Sequence, residues 1–174
     1  MANWQHCPAV ERADKQDGGL WMFKGTDVPL CQLYESLADG DRVDDFAARH
    51  GVDVELVAAA LRYEEEEFIN DLLIRPDGPG EIAAIPVVVP TGHEIPDWSD
   101  CAVVERIAGK VSGAWIFTES RLPLWALYSE LAGGTTIDEF VDWYSGDKAK
   151  VITVLHHAVK ALQENNRTAY AYTA

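Results

Sequence analysis

The sequence has few cysteines, few basic residues and no long apolar segment. Its three cysteines, Cys7, Cys31 and Cys101, are too few and of the wrong parity for a disulfide scaffold. Reduced thiols in a cytoplasmic protein are therefore expected. The longest apolar run, residues 82–89, is interrupted by Pro86 and is too short to span a bilayer. The polar N-terminus lacks the apolar core of a signal peptide.

Acidic residues outnumber basic residues by about two to one. Lysine and arginine total 14 against 29 aspartates and glutamates, which gives a formal net charge of −15. This charge disfavours binding of nucleic acid by the whole surface and suits a basic partner. The 174 residues, of which 48% are apolar, suffice for one medium domain or two small ones with a packed core.

An internal repeat organises the chain. A shift of 94 residues aligns the sequence with itself without a gap, and about 19 of 55 positions are then identical. The repeat predicts a first unit at 1–73, a strap containing proline and glycine at 74–100, and a second unit at 101–174. The identical pairs include Cys7 and Cys101, Trp21 and Trp115, and Pro29 and Pro123.

Each unit has the pattern of a β-hairpin followed by helices. In the first unit, residues 9–12 and 20–23 are predicted strands joined by a polar turn. The first helix is expected to have Pro29 in its first turn, Tyr34 on its apolar face and Gly40 at its end. The second unit repeats these elements at residues 103–106, 114–117 and 123–134.

Two further helices complete each unit. The second helix is expected to be capped by Asp41 in the first unit and by a Thr136–Glu139 capping box in the second. The third helix is expected to be capped by Asp53 or Asp147. The predicted fold is mainly α with short β-hairpins, in which two tandem three-helix units with helix-turn-helix spacing form a pseudo-two-fold intramolecular dimer.

The aromatic and aliphatic residues shared by the two units are the predicted core. Trp21 and Trp115 are kept in both copies while the charges diverge, which favours a core role over a binding platform. Trp98, Trp125 and Trp143 occur only in the strap or the second unit and are candidates for a partner-facing or inter-repeat surface. The predicted structural core consists of Trp21, Phe23, Leu33, Leu37, Phe46, Leu61, Trp115, Phe117, Leu127, Leu131, Phe140 and Leu155.

The shared motifs resemble a bacterial protein family. W-x-F-x-G-T-x-V-P at 21–29, L-Y-x-x-L-x-x-G at 33–40 and V-D-D-F at 43–46 resemble the domain-of-unknown-function family numbered 433, whose members include VapB-type antitoxin-like proteins. The resemblance extends over residues 7–68 and 101–162. It implies homeodomain-like three-helix bundles preceded by β-hairpins, a partner role opposite a PIN-like ribonuclease in a toxin–antitoxin system, and operator binding.

The turn between the hairpin and the first helix departs from the family pattern. Where the family has Gly-Thr-Arg, residues 25–27 are Gly-Thr-Asp and residues 119–121 are Glu-Ser-Arg. If the family arginine contacts phosphate, only the second unit keeps that contact. A symmetric two-site DNA reader is therefore not expected.

The sequence has no catalytic or metal-binding constellation. The serines lack a Gly-x-Ser-x-Gly context, and the adjacent His156 and His157 diverge on a helix and cannot chelate one ion. Cys31 aligns with Trp125, which indicates a buried and inert thiol. We therefore predict a protein that is not an enzyme and has no cofactor or metal.

The negative charge is concentrated in the first unit. Residues 7–73 carry about −10 and residues 101–174 about −1. This asymmetry predicts a non-catalytic protein-binding module, antitoxin-like or immunity-like, that binds and neutralises a basic, nuclease-type partner. A solvated helix face would also explain the charge run. The predicted partner-binding residues are Glu64, Glu65, Glu66, Glu67, Asp44, Asp45 and Asp71.

DNA binding is the alternative function. Four consecutive glutamates on the third helix of the first unit would repel a phosphate backbone, but the second unit carries cations at the corresponding helix. A helix-turn-helix transcription regulator acting through the second unit is therefore one alternative, and a structural or adaptor protein is another. The candidate DNA contacts are Arg121, Lys148, Lys150 and Lys160.

Overall fold

A computed structural model describes residues 3–13, 19–74 and 98–171, with side chains up to 72 and 164 in the last two ranges. The described chain is mainly helical, with two short antiparallel hairpins. The first half holds β1 (Val10–Arg12), β2 (Trp21–Phe23), α1 (Leu30–Ala38), α2 (Val43–His50) and α3 (Val54–Ile74). The second half holds β3 (Val104–Arg106), β4 (Trp115–Phe117), α4 (Leu124–Ala132), α5 (Ile137–Tyr144) and α6 (Lys148–Ala171).

The two hairpins have the same register and lead into the next helix in the same way. Val10 lies opposite Phe23, and Val104 lies opposite Phe117. A proline follows each hairpin and occupies the N-cap position of the next helix. Its missing N–H costs no hydrogen bond there, because the first N–H groups of a helix have no partner within the helix.

Three of the predicted helix caps are present. Thr136 and Glu139 form a capping box at the start of α5, in which the Thr136 hydroxyl accepts the Glu139 N–H at 3.2 Å. Asp53 and Asp147 each accept the N–H two residues ahead at 2.9 Å, at the start of α3 and α6. Local sequence therefore sets where these three helices begin.

The predicted cap of α2 is wrong. Arg42 occupies the N-cap position, while Asp41 accepts hydrogen bonds at 2.6 and 2.9 Å from the Arg49 guanidinium and a further one from the Ser36 hydroxyl. These bonds, with that from Arg49 foremost, lower the pKa of the Asp41 carboxyl. A bidentate pair with a guanidinium is stronger than a single bond to a backbone N–H, so Asp41 joins α2 to α1 instead.

The helices of one half pack mainly against those of the other. α3 lies against α4, and α1 lies against α6. Tyr34 of α1 and Tyr128 of α4 are fully buried, with ring centroids 6.4 Å apart in an edge-on arrangement. One apolar cluster therefore runs through both halves.

The predicted core residues divide into two groups. Phe23, Leu33, Leu37, Phe46, Leu61, Phe117, Leu127, Leu131, Phe140 and Leu155 are buried. Trp21 and Trp115, contrary to the expectation, are only partly buried and pack against the edge of the core. An arginine lies over each ring, Arg12 at 5.7 Å and Arg106 at 5.2 Å from the centroid. Each guanidinium therefore makes a cation–π contact with a ring that the core buries only in part.

Trp98 joins the two halves at the end of the strap. It is fully buried, with its ring 5.6 Å from that of Phe68 on α3 and 5.0 Å from that of His157 on α6. The short strand or tether predicted at 82–89 lies outside the described residues. None of the described helices has the length and apolar character needed to cross a bilayer.

Candidate functional site

The acidic run on α3 does not form the exposed face predicted from the sequence. Glu64, Glu67 and Asp71 are 0%, 2% and 2% exposed. The Asp71 carboxylate forms an ion pair with the guanidinium of Arg106 on β3, with nitrogen and oxygen 2.7 Å apart. Asp71 therefore faces the second half of the same chain, and the burial of all three carboxylates contradicts their predicted place on an exposed partner-binding face.

The buried Glu64 lies near the centre of the contact between the halves. Burial, together with the charge of Glu64, raises the pKa of both Tyr34 and Tyr128 well above the usual value. Neither hydroxyl has a hydrogen-bond partner among the described residues.

Four of the predicted partner-binding residues remain accessible. Asp44 and Asp45 are exposed in the first turn of α2, Glu66 is exposed on α3, and Glu65 is partly exposed. None of the four has a cation within salt-bridge distance in the described part of the chain. Burial of three other carboxylates makes the surface charge of the two halves less unequal than their sequences suggest.

The lysines proposed as DNA contacts already have acidic partners. Lys148 lies 2.5 Å from the Asp138 carboxylate, and Lys160 lies 3.7 Å from that of Glu164. Lys150 donates to the Thr118 carbonyl at 2.8 Å and lies 3.3 Å from the Glu119 carboxylate. A phosphate would have to compete with these carboxylates, which weakens the case for a DNA-reading face. Arg121 is exposed on the turn before α4.

A groove of about 260 Å³ lies between the β4–α4 turn and the α5–α6 turn. Its lining includes apolar side chains of Phe117, Leu122 and Val151, and carboxylates of Glu119 and Asp147. No motif in the sequence predicts this groove. It is formed by two turns that are 25 residues apart in sequence, and no local pattern indicates that they meet.

Two exposed aromatic side chains lie on the last turn of α5, and one of them lines the groove. Tyr144, which lines the groove, is 41% exposed, and Trp143 next to it is 64% exposed. Of the three tryptophans singled out as surface candidates, Trp143 is thus exposed, Trp98 is buried between the halves, and Trp125 is partly buried. A tryptophan side chain exposed to this extent is typical of protein interfaces.

The cysteines and histidines form no reactive or metal-binding group in the described residues. Burial raises the pKa of the Cys7 thiol to about 11 and also raises that of Cys31 and Cys101. All three thiols are buried and free, so they are poor nucleophiles. No group of three histidine, cysteine or acidic side chains within the described ranges is arranged to hold a metal ion.

Comparison with known proteins finds no matching family model, no similar curated protein and no similar solved structure.

Proposed function

We propose that the chain is a non-catalytic protein-binding module, antitoxin-like or immunity-like, that binds and neutralises a basic, nuclease-type protein partner. One observation supports this most directly. Exposed carboxylates such as Asp44, Asp45 and Glu66 form no salt bridge with a cation among the described residues, whereas the three lysines on α6 are paired. The described surface therefore has carboxylates available to attract a basic partner, whereas the lysines of α6 are less available to a phosphate.

The resemblance of the sequence to the antitoxin-like family adds a proposed architecture. The two halves are tandem copies of one homeodomain-like unit, paired about an approximate two-fold axis within one chain. Equivalent contacts support this arrangement. Glu11 accepts the Gly25 N–H at 2.7 Å, and the matching Glu105 accepts the N–H of residue 119 at 3.2 Å.

The packing between halves is also reciprocal. The first helix of each copy lies against the third helix of the other, as α1 with α6 and α4 with α3. Tyr34 and Tyr128, which are 94 positions apart, pack against each other with their rings in a T-shaped arrangement. Such reciprocity is the property of a two-fold interface between identical surfaces.

Two charge reversals on one face of α3 test the functional proposal. Glu66 and Arg62 are exposed and lie one helical turn apart, so Glu66→Lys and Arg62→Glu change the charge by equal and opposite amounts at nearly one place. If the acidic surface steers a basic partner, Glu66→Lys should slow association and Arg62→Glu should accelerate it. Both effects should fade above physiological salt, where charges are screened within about 8 Å.

The partner for this measurement comes from affinity capture in host cells at low salt, followed by mass spectrometry. A basic protein that is captured at low salt and shows opposite rate changes with the two variants is the expected result. Equal rates for both variants would contradict the proposal. Tight, salt-dependent binding of duplex DNA by the intact chain would favour the regulator instead, acting through α5, α6 and the cations Arg121, Lys148, Lys150 and Lys160.

A further inference from the structure

A run of packed aromatic rings crosses the contact between the two halves and ends in a histidine. The rings of Tyr34, Tyr128, Phe68, Trp98 and His157 follow one another at centroid distances of 6.4, 5.5, 5.6 and 5.0 Å. The first four are buried, and the side chain of His157 is 13% exposed. The last ring of the run is therefore one that can take up a proton near neutral pH.

The first half has the same contact without the histidine. Trp4 and Tyr63, which match Trp98 and His157 in the 94-residue repeat, pack with their ring centroids 5.7 Å apart. The Tyr63 hydroxyl also donates to the Asn3 carbonyl at 2.9 Å, which holds the Trp4 segment against α3. Burial raises the pKa of Tyr63 above its usual value of 10, so this contact does not titrate near neutral pH.

A proton on His157 is unfavourable while the Trp98 ring packs against it. An imidazolium in this position loses most of its hydration, and burial is the main cause of the lowered pKa of His157. Among the described residues, Asp100 and Glu164 favour the protonated ring and Lys160 opposes it. Asp100, with Oδ1 3.4 Å from Nε2, is itself 74% exposed, so water screens its attraction and burial prevails.

Trp98 is the member of this contact that is free to move away. It lies outside the helices and begins a turn in which the Cys101 N–H donates to its carbonyl at 3.0 Å, whereas His157 lies within α6. The indole N–H of the buried Trp98 has no hydrogen-bond partner among the described residues. An unpaired buried donor costs free energy, and water would satisfy this one after the ring has left.

We propose that Trp98 and His157 form a pH switch, in which a proton taken up by His157 releases the Trp98 segment, residues 98–101, from α6 and α3. The neutral imidazole packs against the indole, and the protonated one regains its hydration when the indole leaves. Release uncovers Phe68, so an apolar part of the contact between the halves becomes accessible at acid pH. The switch does not depend on the identity of the protein partner.

Proton linkage sets the direction and the size of the effect. The pKa of His157 is lowered in the closed contact, so the open form binds the proton more readily and a falling pH favours opening. The opened fraction should begin to rise near the usual histidine pKa of 6.5 and level off below the closed-state pKa. Each pH unit between these two values changes the opening equilibrium by about tenfold.

Amide hydrogen exchange at two matched positions tests the switch. The Cys101 N–H donates to the Trp98 carbonyl at 3.0 Å, and the Cys7 N–H donates to the Trp4 carbonyl at 3.1 Å. In the full-length 15N-labelled chain, the protection factor of Cys101 should fall several-fold between pH 8 and pH 5, and that of Cys7 should stay constant. Protection factors are compared because they are corrected for the pH dependence of intrinsic exchange.

An exchange of the matched residues should move the effect between the halves. His157→Tyr should abolish the pH dependence at Cys101, and Tyr63→His should create one at Cys7. His156→Gln, a change at the exposed neighbouring position, is the control and should leave the behaviour of the wild type in place. The ring signals of His157 should titrate over the pH range in which Cys101 loses protection.

Three results would overturn the switch. Constant protection of Cys101 between pH 8 and pH 5 is one, and a fall that persists in His157→Tyr is another. The third is a Cys101 amide that is as well protected as the slowest amides of α3 and α6 and loses protection as steeply in urea. Such an amide opens only when the whole molecule unfolds, whereas the release of one segment is cheaper and little affected by urea. His157→Tyr decides the inference even if Tyr63→His does not fold.

Discussion

Arg12 and Arg106 occupy matching positions on β1 and β3 but have different environments. Both lie over a tryptophan. Arg12 is exposed and donates to the Gly19 carbonyl at 3.0 Å. The side chain of Arg106 is 9% exposed and pairs with Asp71 of the other half. Matching positions thus hold an exposed arginine in the first half and a buried, ion-paired arginine in the second.

Removal of the Arg106 charge should destabilise the fold strongly. Arg106→Met leaves the Asp71 carboxylate buried without its guanidinium, and such a change costs about 3 to 5 kcal/mol. Urea unfolding measures the loss, and Arg12→Met is the control, with a much smaller expected effect. The double variant Arg106→Met with Asp71→Leu should recover much of the loss, because neither member of the ion pair is then left buried without the other. Equal losses for the two single variants would contradict the assignment.

Two matching residues with left-handed backbone conformations can be exchanged between the halves to test how they affect stability. Ser145 and Gly51 both follow a helix and both have positive φ. Ser145→Gly should raise the free energy of unfolding by about 1 kcal/mol, because glycine is not strained there. Gly51→Ser should lower it by a similar amount. Thermal and urea unfolding of the two variants, compared with the wild type, would reject this account if both moved in the same direction.

At the scale of elements, the sequence predicted the order and the type of structure well. The hairpins, prolines and caps depend on residues within a few positions of one another, and the 94-residue repeat supplied each prediction twice. The packing of α3 mainly against α4 of the other half depends on contacts distant in sequence, which local patterns do not encode.

The burial of the acidic residues on α3 did have a signal in the sequence. Glu64 and Asp71 lie on the same face of α3 as the apolar residues Val57, Leu61 and Phe68. The five residues follow one another at spacings of three and four. Four consecutive glutamates on a helix point in four directions, so at least one had to face the packed side. The sequence could not reveal the counter-charge of Asp71, because Arg106 lies 35 positions beyond it.

His157 on α6, whose ring contacts that of Trp98, should make the free energy of unfolding depend on pH. Burial lowers the pKa of His157 from its usual value of 6.5, although Asp100, 3.4 Å away, acts in the opposite direction. A lowered histidine pKa means that the folded state binds the proton less readily than the unfolded state. The free energy of unfolding should therefore fall as the pH drops below about 6.5, until the folded-state pKa is passed.

Urea unfolding between pH 8 and pH 5 measures this effect. His157→Gln should flatten the pH dependence in that window, whereas His156→Gln, a change at the exposed neighbouring position, should leave it in place. If His157→Gln keeps the pH dependence of the wild-type free energy of unfolding, that dependence comes from other titratable groups.

At the scale of the whole molecule, the two halves share one core. α1 is covered by α6 and α4 by α3, so each half alone would expose the apolar faces of its first and third helices. Arg42 adds a link between the halves, donating to the Gly134 carbonyl at 2.7 Å and pairing with Glu139 at 2.5 Å. A unit of some 70 residues that lacks its partner surface has little core of its own.

Separated halves should therefore fold only by associating. We expect fragments 1–97 and 98–174, expressed apart, to lack cooperative thermal transitions as monomers and to form a one-to-one complex with native helicity when mixed. Self-pairing of the first fragment should be disfavoured, because the proposed two-fold arrangement would bring two Glu64 carboxylates into the buried centre, where the chain has Ala158 at the matching position. Glu64→Ala should then permit it. Circular dichroism and analytical ultracentrifugation measure both effects, and a first fragment that melts cooperatively as a monomer would contradict the shared core.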